Sequence, residues 1–274
     1  MYRIEKIARL SENVYEFVIQ APLVTKNCRA GQFIILRVDE DGERVPFTIS
    51  DFDRDNGTVT IMVQRVGATT AKLFEKNEGD YIVDFVGPLG NPTDLTGDRI
   101  VLIGGGIGTA VIRPQAKLLS SNGVRLTVIE GARNESLLLY EDEFSRYADR
   151  FFVMTDDGSK GEKGFVTDKL RSLIEEGEKI DAVFAVGPMP MMRAVSEVTR
   201  PYGIKTIVSM NSLMVDGTGM CGCCRVKVDG VTKYACADGP EFDGHLIDFE
   251  EASLRLKEYK QQEEEHYCRL RGRQ

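Results

Sequence analysis

Four cysteines and one aspartate in a short, glycine-rich stretch offer the clearest chemistry in the sequence. The stretch "DGTGMCGCCRVKV" runs from Asp216 to Val228, and a further cysteine follows at Cys236. Plant-type [2Fe–2S] sites use the spacing C-x4-C-x2-C with a distant fourth cysteine. Counting back from Cys224 reaches Cys221, and counting back again reaches Asp216 in the first ligand position. The spacing therefore predicts a [2Fe–2S] cluster held by Asp216, Cys221, Cys224 and Cys236.

The same residues allow other interpretations, which the spacing alone leaves open. Cys223 is the extra sulfur, and all four cysteines could be ligands, although the adjacent residues Cys223 and Cys224 point in divergent directions. Zinc could occupy the site, but all-thiolate zinc sites favour paired C-x2-C units and only one is present. A purely structural set of thiols is the last alternative. Glycines at 217, 219 and 222 favour the cluster, which needs backbone N–H groups turned inward.

The composition limits the classes of protein to consider. A length of 274 residues suits two domains, and six cysteines are too few for a disulfide scaffold. Only His245 and His266 are histidines, which weakens any histidine-based mechanism. The net charge of -8 argues against nucleic acid or an anionic membrane as a partner. Since no apolar run reaches the length of a membrane span and no signal peptide is evident, we expect a cytoplasmic protein.

The elements that must position the cysteines begin with a β-rich N-terminal part. Short alternating segments end at Gly, Asn or Asp, a pattern typical of a small barrel or sandwich. One short helix is expected over 69–79. The predicted strands cover 2–10, 14–22, 31–39, 58–66 and 80–88.

The pattern changes near residue 98, where apolar strands begin to alternate with helices. This spacing predicts a parallel sheet covered on both faces. The predicted strands cover 99–108, 124–132, 150–158, 180–188 and 205–211, and the helices 110–123, 135–148, 166–179 and 191–203. The segment 211–249 shows little periodicity, and the charged tail after it favours helix.

The first parallel strand ends in a glycine run that could bind a dinucleotide. Gly104, Gly105, Gly106 and Gly108 would let a pyrophosphate approach the N-terminus of the next helix. Thr109 stands where G-x-G-x-x-G has its last glycine, so a plain strand-to-helix turn is the alternative.

Two more strand ends suggest ligand contacts. Glu130 ends the second strand, where a carboxylate can bond ribose hydroxyls and favour NADH. Arg133 could instead serve NADPH, so the choice stays open. "GPMPMM" from Gly187 lies at another carboxyl end, although a simple turn with Met191 and Met192 in the core explains it equally.

Two stretches of the β-rich part carry further signals. "RVPFTIS" places Pro46 in a would-be strand, which suggests an edge used for something other than pairing. "VGATT" puts Gly67 and two threonines ahead of a helix, which suits a phosphate site. Turn chemistry and a helix cap at Thr69 are the alternatives.

In chain order these pieces resemble the ferredoxin–NADP reductase superfamily. The order is "RVPFTIS", "VGATT", "GPLG", "GGGIG" and "GP..MM", with the cysteine segment appended. The chain looks most like the branch that holds the small (alpha) subunit of NADH-dependent ferredoxin:NADP oxidoreductase, also called the sulfide dehydrogenase beta subunit. The electron-transfer subunit of dihydroorotate dehydrogenase type B is a close relative. "MVDGTGMCG" and "CADGPEFDGHLIDFEE" carry the likeness most specifically.

The resemblance implies which residues hold the cofactors, with no catalytic side chain beyond the bound groups. FAD would lie against Pro46, Phe47 and Thr48, beside Met62, Val63 and Gln64, with its pyrophosphate on Gly67, Thr69 and Thr70. Together with Glu130, the residues framing NAD(P)H would be Gly104, Gly105, Gly106, Ile107, Gly108, Gly187, Pro188 and Met189.

The resemblance also implies an α/β two-domain architecture and a reaction. An antiparallel β-barrel FAD domain (1–97) would precede a parallel-sheet NAD(P)-binding domain (98–208), a [2Fe–2S] segment (209–250) and a helical tail (251–274). Electrons would pass from NAD(P)H through FAD and the cluster to a larger flavin iron–sulfur subunit, in a heterodimer or higher complex. Ferredoxin would be reached indirectly through that subunit, in a setting that allows electron bifurcation.

Two departures and two functional alternatives accompany the resemblance. The superfamily has an arginine directly before the proline, whereas Val45 holds that position here and Arg44 lies one residue earlier. The superfamily also has a C-G-P motif, in which Val186 replaces the cysteine here. The first alternative is the electron-transfer subunit of a dihydroorotate dehydrogenase, against which Asp216 in place of a cysteine weighs. The second is a non-catalytic protein that binds nucleotide and metal.

Overall fold

Alternating apolar and polar residues in the N-terminal part form short antiparallel strands, as predicted. The computed structural model describes residues 1–271. The strands are β1 (Tyr2–Ser11), β2 (Val14–Gln20), β3 (Phe33–Arg37), β4 (Val45–Asp53), β5 (Thr58–Gln64), β6 (Tyr81–Ile82) and β7 (Asp84–Leu89). Their order, β6-β1-β2-β5-β4-β3-β7, makes a nearly closed barrel. Its helices are α1 (Pro22–Asn27) and α2 (Ala68–Phe74).

The barrel closes over an apolar core because alternate strand residues face inward. Phe17, Ile34 and Phe85 are fully buried in it. The strand predicted over 80–88 is divided into β6 and β7, and α1 was not predicted. β4 is absent from the strands predicted by alternation, although Pro46 suggested a strand with an unpaired edge there, and Pro46 pairs with Ile35 of β3.

The second half folds as the alternating pattern predicts. Its parallel strands are β8 (Arg99–Gly105), β9 (Arg125–Ala132), β10 (Arg150–Thr155), β11 (Glu162–Lys163), β12 (Ala182–Val186) and β13 (Lys205–Ser209). The helices are α3 (Thr109–Ser121), α4 (Glu141–Tyr147), α5 (Val166–Glu175) and α6 (Met189–Thr199). In the order β11-β10-β9-β8-β12-β13, the chain changes direction between β8 and β12, which is where such sheets bind ligands.

The segment after β13 contains regular elements that its composition did not reveal. They are β14 (Arg225–Val228), β15 (Val231–Tyr234), α7 (Ala235–Asp238) and β16 (Glu241–Asp243). β14 and β15 form a hairpin whose turn residues, Asp229 and Gly230, both have positive φ. β16 joins the edge of the parallel sheet antiparallel to β13. Two helices follow, α8 (Phe249–Arg255) and α9 (Lys260–Arg271), and the last residues of the predicted tail lie outside the described part.

The chain divides into two compact units that are not continuous in sequence. The barrel unit comprises 1–91, 211–238 and 248 onward, so the cysteine segment packs with the barrel. The parallel-sheet unit comprises 92–210 and 239–247. The first boundary thus lies between residues 91 and 92, where the sequence placed it between 97 and 98. None of the described helices has the length and apolar character needed to cross a membrane.

Candidate functional site

The hairpin β14–β15 brings two of the predicted ligands together. Cys224 directly precedes β14, and Cys236 follows β15 at the start of α7. The Ala235 amide donates to the Cys224 carbonyl at 3.0 Å, which closes the hairpin at this end. The two Sγ atoms consequently lie 3.2 Å apart, and both residues are buried. The two thiols are therefore close enough together to bind the same iron.

Backbone N–H groups point at these sulfurs. The amide of Cys236 donates to Cys224 Sγ at 3.4 Å. The pKa of Cys221 is lowered, chiefly by the backbone N–H of Cys223, with the amides of Asp216 and Val215 adding to it. Inward-turned amides stabilise the negative charge that an iron–sulfur cluster brings.

Burial works in the opposite direction at Cys236, where it raises the pKa of the thiol to about 12 although the Gly219 amide points at the sulfur. This thiol therefore remains protonated at neutral pH until a metal ion displaces its proton. Gly219 adopts φ of 89° to direct its amide inward, which explains the need for glycine at this position.

Cys221 has two neighbours that could complete its half of the cluster. The Asp216 amide points at the Cys221 sulfur, and the Cys223 thiol donates to the same sulfur. The carboxylate of Asp216 accepts from the backbone N–H of Thr218 at 2.9 Å and from its hydroxyl, and these bonds lower its pKa. The ionised carboxylate could therefore serve as an oxygen ligand. The choice of Asp216 in preference to Cys223 as the remaining cluster ligand stays a prediction.

The donor set fits a two-iron cluster. Each iron of a [2Fe–2S] cluster takes two protein ligands. The Cys224 and Cys236 side chains form one pair, and the Cys221 sulfur lies beside the Cys223 thiol and the backbone N–H of Asp216. No three His, Cys, Asp or Glu side chains in the described part of the chain converge as they would around a single metal ion.

The barrel strands that the resemblance assigns to FAD have open edges. Pro46, Phe47 and Thr48 pair with β3 on one side, but β4 pairs with β5 only from Ile49 onward. The assigned part of β5, Met62–Gln64, pairs with β2 and lies beyond the β4 ladder. The strands therefore separate here and leave unpaired backbone groups on both sides, as the proline suggested. The FAD contacts remain predictions.

The predicted pyrophosphate residues at α2 are partly committed to capping. The Thr70 hydroxyl accepts from the Val66 and Gly67 amides, both at 3.0 Å. The cap is therefore made by Thr70, where the sequence suggested Thr69, whose hydroxyl points at Glu43 at 3.5 Å. Gly67 has open space where a side chain would begin, which leaves its backbone accessible to a ligand.

The glycine run after β8 combines tight packing with an open face. A Cβ on Gly104 would lie 2.8 Å from Cα of Thr109, and one on Gly108 would lie 2.4 Å from the Val186 carbonyl oxygen. Gly106, at φ of 55°, faces open space. The loop is therefore packed against β12 on one side and accessible at Gly106, as phosphate binding requires.

Thr109 is a candidate that the sequence analysis treated only as a departure from the glycine motif. It begins α3, its side chain is fully buried, and its hydroxyl has no hydrogen-bond partner within the described residues. An unpartnered hydroxyl at a helix N-terminus could bond a phosphate, provided that ligand binding uncovers it. A threonine immediately after Gly-x-Gly was the sequence signal.

The switch point between β8 and β12 is lined by two glycines and a methionine. A Cβ on Gly105 would lie 2.4 Å from Met191 Sδ, and one on Gly187 would lie 2.7 Å from Met191 Cε. Met192 is in the core, as one interpretation of "GPMPMM" expected, whereas Met191 is partly exposed over the glycines. Of the other residues predicted here, Met189 is buried, and Pro188 and Ile107 are exposed.

Glu130 lies at the predicted strand end but its carboxyl group faces inward. One oxygen accepts from the Leu139 amide at 2.6 Å, and the other has no partner among the described residues. Burial raises its pKa to about 8, so the group is largely neutral at pH 7. The contact of Glu130 with a ribose stays a prediction. Such a contact would require the unpartnered oxygen to become exposed.

Three families match consecutive parts of the chain. Residues 1–93 match the oxidoreductase FAD-binding domain, and residues 102–197 match the oxidoreductase NAD-binding domain. Residues 211–248 match the iron-sulfur cluster binding domain of dihydroorotate dehydrogenase B. The fold and the three matches define an electron-transfer oxidoreductase subunit with FAD-, NAD- and iron–sulfur-binding domains, which confirms the predicted fold class and cofactors.

Similar proteins narrow this class. A Thermotoga maritima dihydroorotate dehydrogenase B (NAD(+)) electron transfer subunit homolog is 45% identical, over 97% of this chain and 94% of that protein. The corresponding subunit of Geobacillus thermodenitrificans is 34% identical, over 85% of this chain and 92% of that protein. A chain of the NADH-dependent reduced ferredoxin-NADP oxidoreductase structure is 43% identical, with a TM-score of 0.92 and 98% of both chains covered. The chain belongs to the family of dihydroorotate dehydrogenase B electron-transfer subunits and their homologues, within the ferredoxin–NADP reductase superfamily.

Proposed function

We propose that the chain is the small subunit of a cytoplasmic NADH-dependent ferredoxin:NADP oxidoreductase. The supporting observation is its likeness to that enzyme's solved chain, at 43% identity over 98% of both chains. The aspartate in the first ligand position, Asp216, agrees with this branch in preference to relatives that have four cysteines. In such a complex the chain would exchange electrons between NAD(P)H and a larger flavin iron–sulfur subunit, and electron bifurcation would be a property of the whole assembly.

Each group of residues has a defined task in this proposal. When bound, the nicotinamide nucleotide would supply a hydride, and the flavin and the [2Fe–2S] cluster would allow its two electrons to be passed on singly. The chain's own residues bind and orient: the glycine run with Thr109 takes the dinucleotide phosphates, and the open edges of β4 and β5 take the flavin. Asp216 and the three cysteines Cys221, Cys224 and Cys236 would hold the cluster.

Exposed apolar side chains beside the cysteines support a partner at this surface. Met220 immediately precedes Cys221 and is 87% exposed, and Val215 is 47% exposed. Leu254 of α8, 69% exposed, precedes Arg255, whose guanidinium binds the Cys223 carbonyl at 3.3 Å. Exposed apolar residues indicate a protein interface when they form one contiguous patch. The larger subunit would therefore cover the cysteine loop and receive electrons there.

The proposal is tested by isolating the native complex from the organism that encodes the chain. We expect a larger flavin iron–sulfur subunit to copurify, and the complex to couple NADH, NADPH and ferredoxin. Met220→Asp should weaken the complex while leaving the iron content unchanged. A copurifying pyrimidine-oxidising subunit, with activity toward dihydroorotate, would contradict the proposal.

The electron-transfer subunit of a dihydroorotate dehydrogenase is the second candidate. It is favoured by the match over residues 211–248 and by relatives of that name at 33–36% identity. The same isolation separates the two functions, since they differ in the partner and not in the electron path through this chain.

A further inference from the structure

Arg44 stands one residue early for the flavin role that its relatives' arginine has, and its guanidinium is directed elsewhere. Its Nε donates to the Val215 carbonyl at 3.2 Å, and its Nη2 donates to the Asp216 carbonyl at 3.4 Å. The two partners lie 171 and 172 residues further along the chain. The planar fork of an arginine is suited to holding two neighbouring acceptors at once. Arg44 is thus a bridge from the barrel to the loop of the candidate cluster.

The two ends of this bridge are the two candidate cofactor sites of the barrel unit. Arg44 directly precedes β4, whose first residues have the open edge assigned to FAD. The loop it holds carries Asp216, the predicted oxygen ligand of the cluster. A single side chain therefore connects the backbone of one site to the backbone of the other.

A second contact fixes the same loop to the same strands. Gly217 has φ of 84°, and a Cβ there would lie 2.5 Å from Ile35 Cδ1 and 2.9 Å from Leu89 Cδ1. Ile35 pairs with Pro46 of β4, so this contact lies next to the open edge. The loop is consequently held on both sides of the Asp216 side chain. Arg44 bonds the carbonyls of Val215 and Asp216, and Gly217 packs against the barrel.

The charge of Arg44 also acts on the cluster position. Its guanidinium donates to the two backbone carbonyl oxygens and not to the carboxylate of Asp216. Reduction adds negative charge to a cluster, and a nearby cation stabilises the reduced form. A positive charge held at this loop should therefore raise the reduction potential of the cluster.

We propose that Arg44 is a positioning residue for electron transfer, which fixes the Asp216 loop against the flavin-bearing strand and raises the cluster's reduction potential. The inference rests on the cluster and FAD sites of the proposed function. It assigns to Arg44 a task in the cluster half of the barrel unit in place of a flavin contact.

The test compares Arg44→Gln and Arg44→Lys with the control Arg3→Gln in the complete chain. Arg3 is an exposed arginine of β1, which is separated from β4 in the sheet by β2 and β5. For each protein, iron and FAD content are measured, and the cluster is titrated electrochemically with EPR detection. Arg44→Gln should keep FAD and iron, lower the midpoint potential, and broaden the EPR signal. Arg44→Lys should recover the potential but not the line shape, and Arg3→Gln should match wild type.

Other outcomes would overturn the inference. An unchanged potential and EPR signal in Arg44→Gln would show that the bridge has no role at the cluster. Loss of FAD with an unchanged cluster would place Arg44 in the flavin site. These results differ from failure of the proposed function, which would appear as a dihydroorotate-oxidising partner in the isolated complex and would leave the cofactors of the wild-type chain unchanged.

Discussion

Cys224 and Cys236 place their sulfur atoms 3.2 Å apart although they are separated by a complete β-hairpin. The hairpin is closed at one end by the Asp229–Gly230 turn and at the other by the Ala235 amide bound to the Cys224 carbonyl. Backbone hydrogen bonds therefore set the separation of the two thiols before any metal binds. This preorganisation pairs the third and fourth ligands that the spacing predicted.

The ligand assignment predicts different fates for Asp216 and Cys223. Cys223→Ser should retain the cluster's EPR signal and iron content, because the thiol only donates to Cys221. Asp216→Ala should lose iron, whereas Asp216→Cys should retain it with an altered signal, since a thiolate is a softer ligand. Anaerobic reconstitution followed by EPR and iron analysis checks these outcomes. A cluster that survives Asp216→Ala and is lost in Cys223→Ser would reverse the assignment.

The glycine after Asp216 should be essential to the loop for two reasons. Gly217→Ala adds strain at φ of 84° and directs a methyl group at the buried Ile35, for a cost of about 2 kcal/mol or more. Gly230→Ala is the matched control, because it has a similar φ of 72° but open space around it, and strain alone should cost about 1 kcal/mol. Thermal unfolding and iron retention are the measurements. Equal behaviour of the two variants would show that packing on the barrel is unimportant.

The buried hydroxyl of Thr109 predicts opposite effects on stability and binding. Thr109→Val should leave the melting temperature unchanged or higher, because the hydroxyl has no partner there and an unmet group costs about 1–3 kcal/mol. It should also weaken NADH binding several-fold. Thr199→Val is the control, since that hydroxyl is bonded to Thr206 and His245 and its loss should destabilise the unit. Calorimetry and NADH titration report both quantities, and unaltered NADH affinity would remove Thr109 from the site.

A buried carboxyl at β16 predicts a pH dependence of stability. Glu241 accepts from the Thr93 hydroxyl at 2.6 Å, and burial raises its pKa to about 7. Since the folded-state pKa lies above the ordinary value of 4.5, the folded state binds more protons between these values. Stability should therefore fall as pH rises from about 5 to 8, by up to roughly 3 kcal/mol from this group.

Glu241→Gln isolates that contribution. The amide keeps an acceptor for Thr93 but cannot ionise, so the variant should lose part of the decline in melting temperature between pH 5 and 8. Glu130, whose pKa is also raised by burial, contributes with the same sign, so Glu130→Gln should act additively. A melting temperature of Glu241→Gln that falls with pH as steeply as that of wild type would contradict the buried, neutral carboxyl.

Local sequence patterns predict much of the fold. The β-barrel and the parallel sheet follow from periodicity, and the order of the three domains follows from short motifs, whereas Asp216 as a cluster ligand stays a prediction from the spacing. The hairpin β14–β15 was not predicted, although Asp229–Gly230 is a strong turn signal. The many cysteines and glycines before it make the alternating pattern of its short strands difficult to recognise. Alternation did not reveal β4, whose first half has the open edge that Pro46 indicated.

Other features depend on distant parts of the chain and could not be read locally. The bond from Arg44 to the Asp216 loop joins residues far apart in sequence, and the inward orientation of Glu130 depends on the loop at Leu139. Met191 and Met192 are adjacent and chemically identical, yet only the fold decides which one covers the glycines of the switch point.

The most direct test is an anaerobic NADH titration of the purified chain, with absorption and EPR recorded together. We expect bound FAD and acid-labile sulfide, bleaching of the flavin band by NADH, and an EPR signal from a reduced [2Fe–2S] cluster in the same sample. A reconstituted chain whose flavin is bleached by NADH but which shows no cluster signal, even with dithionite, would contradict the account.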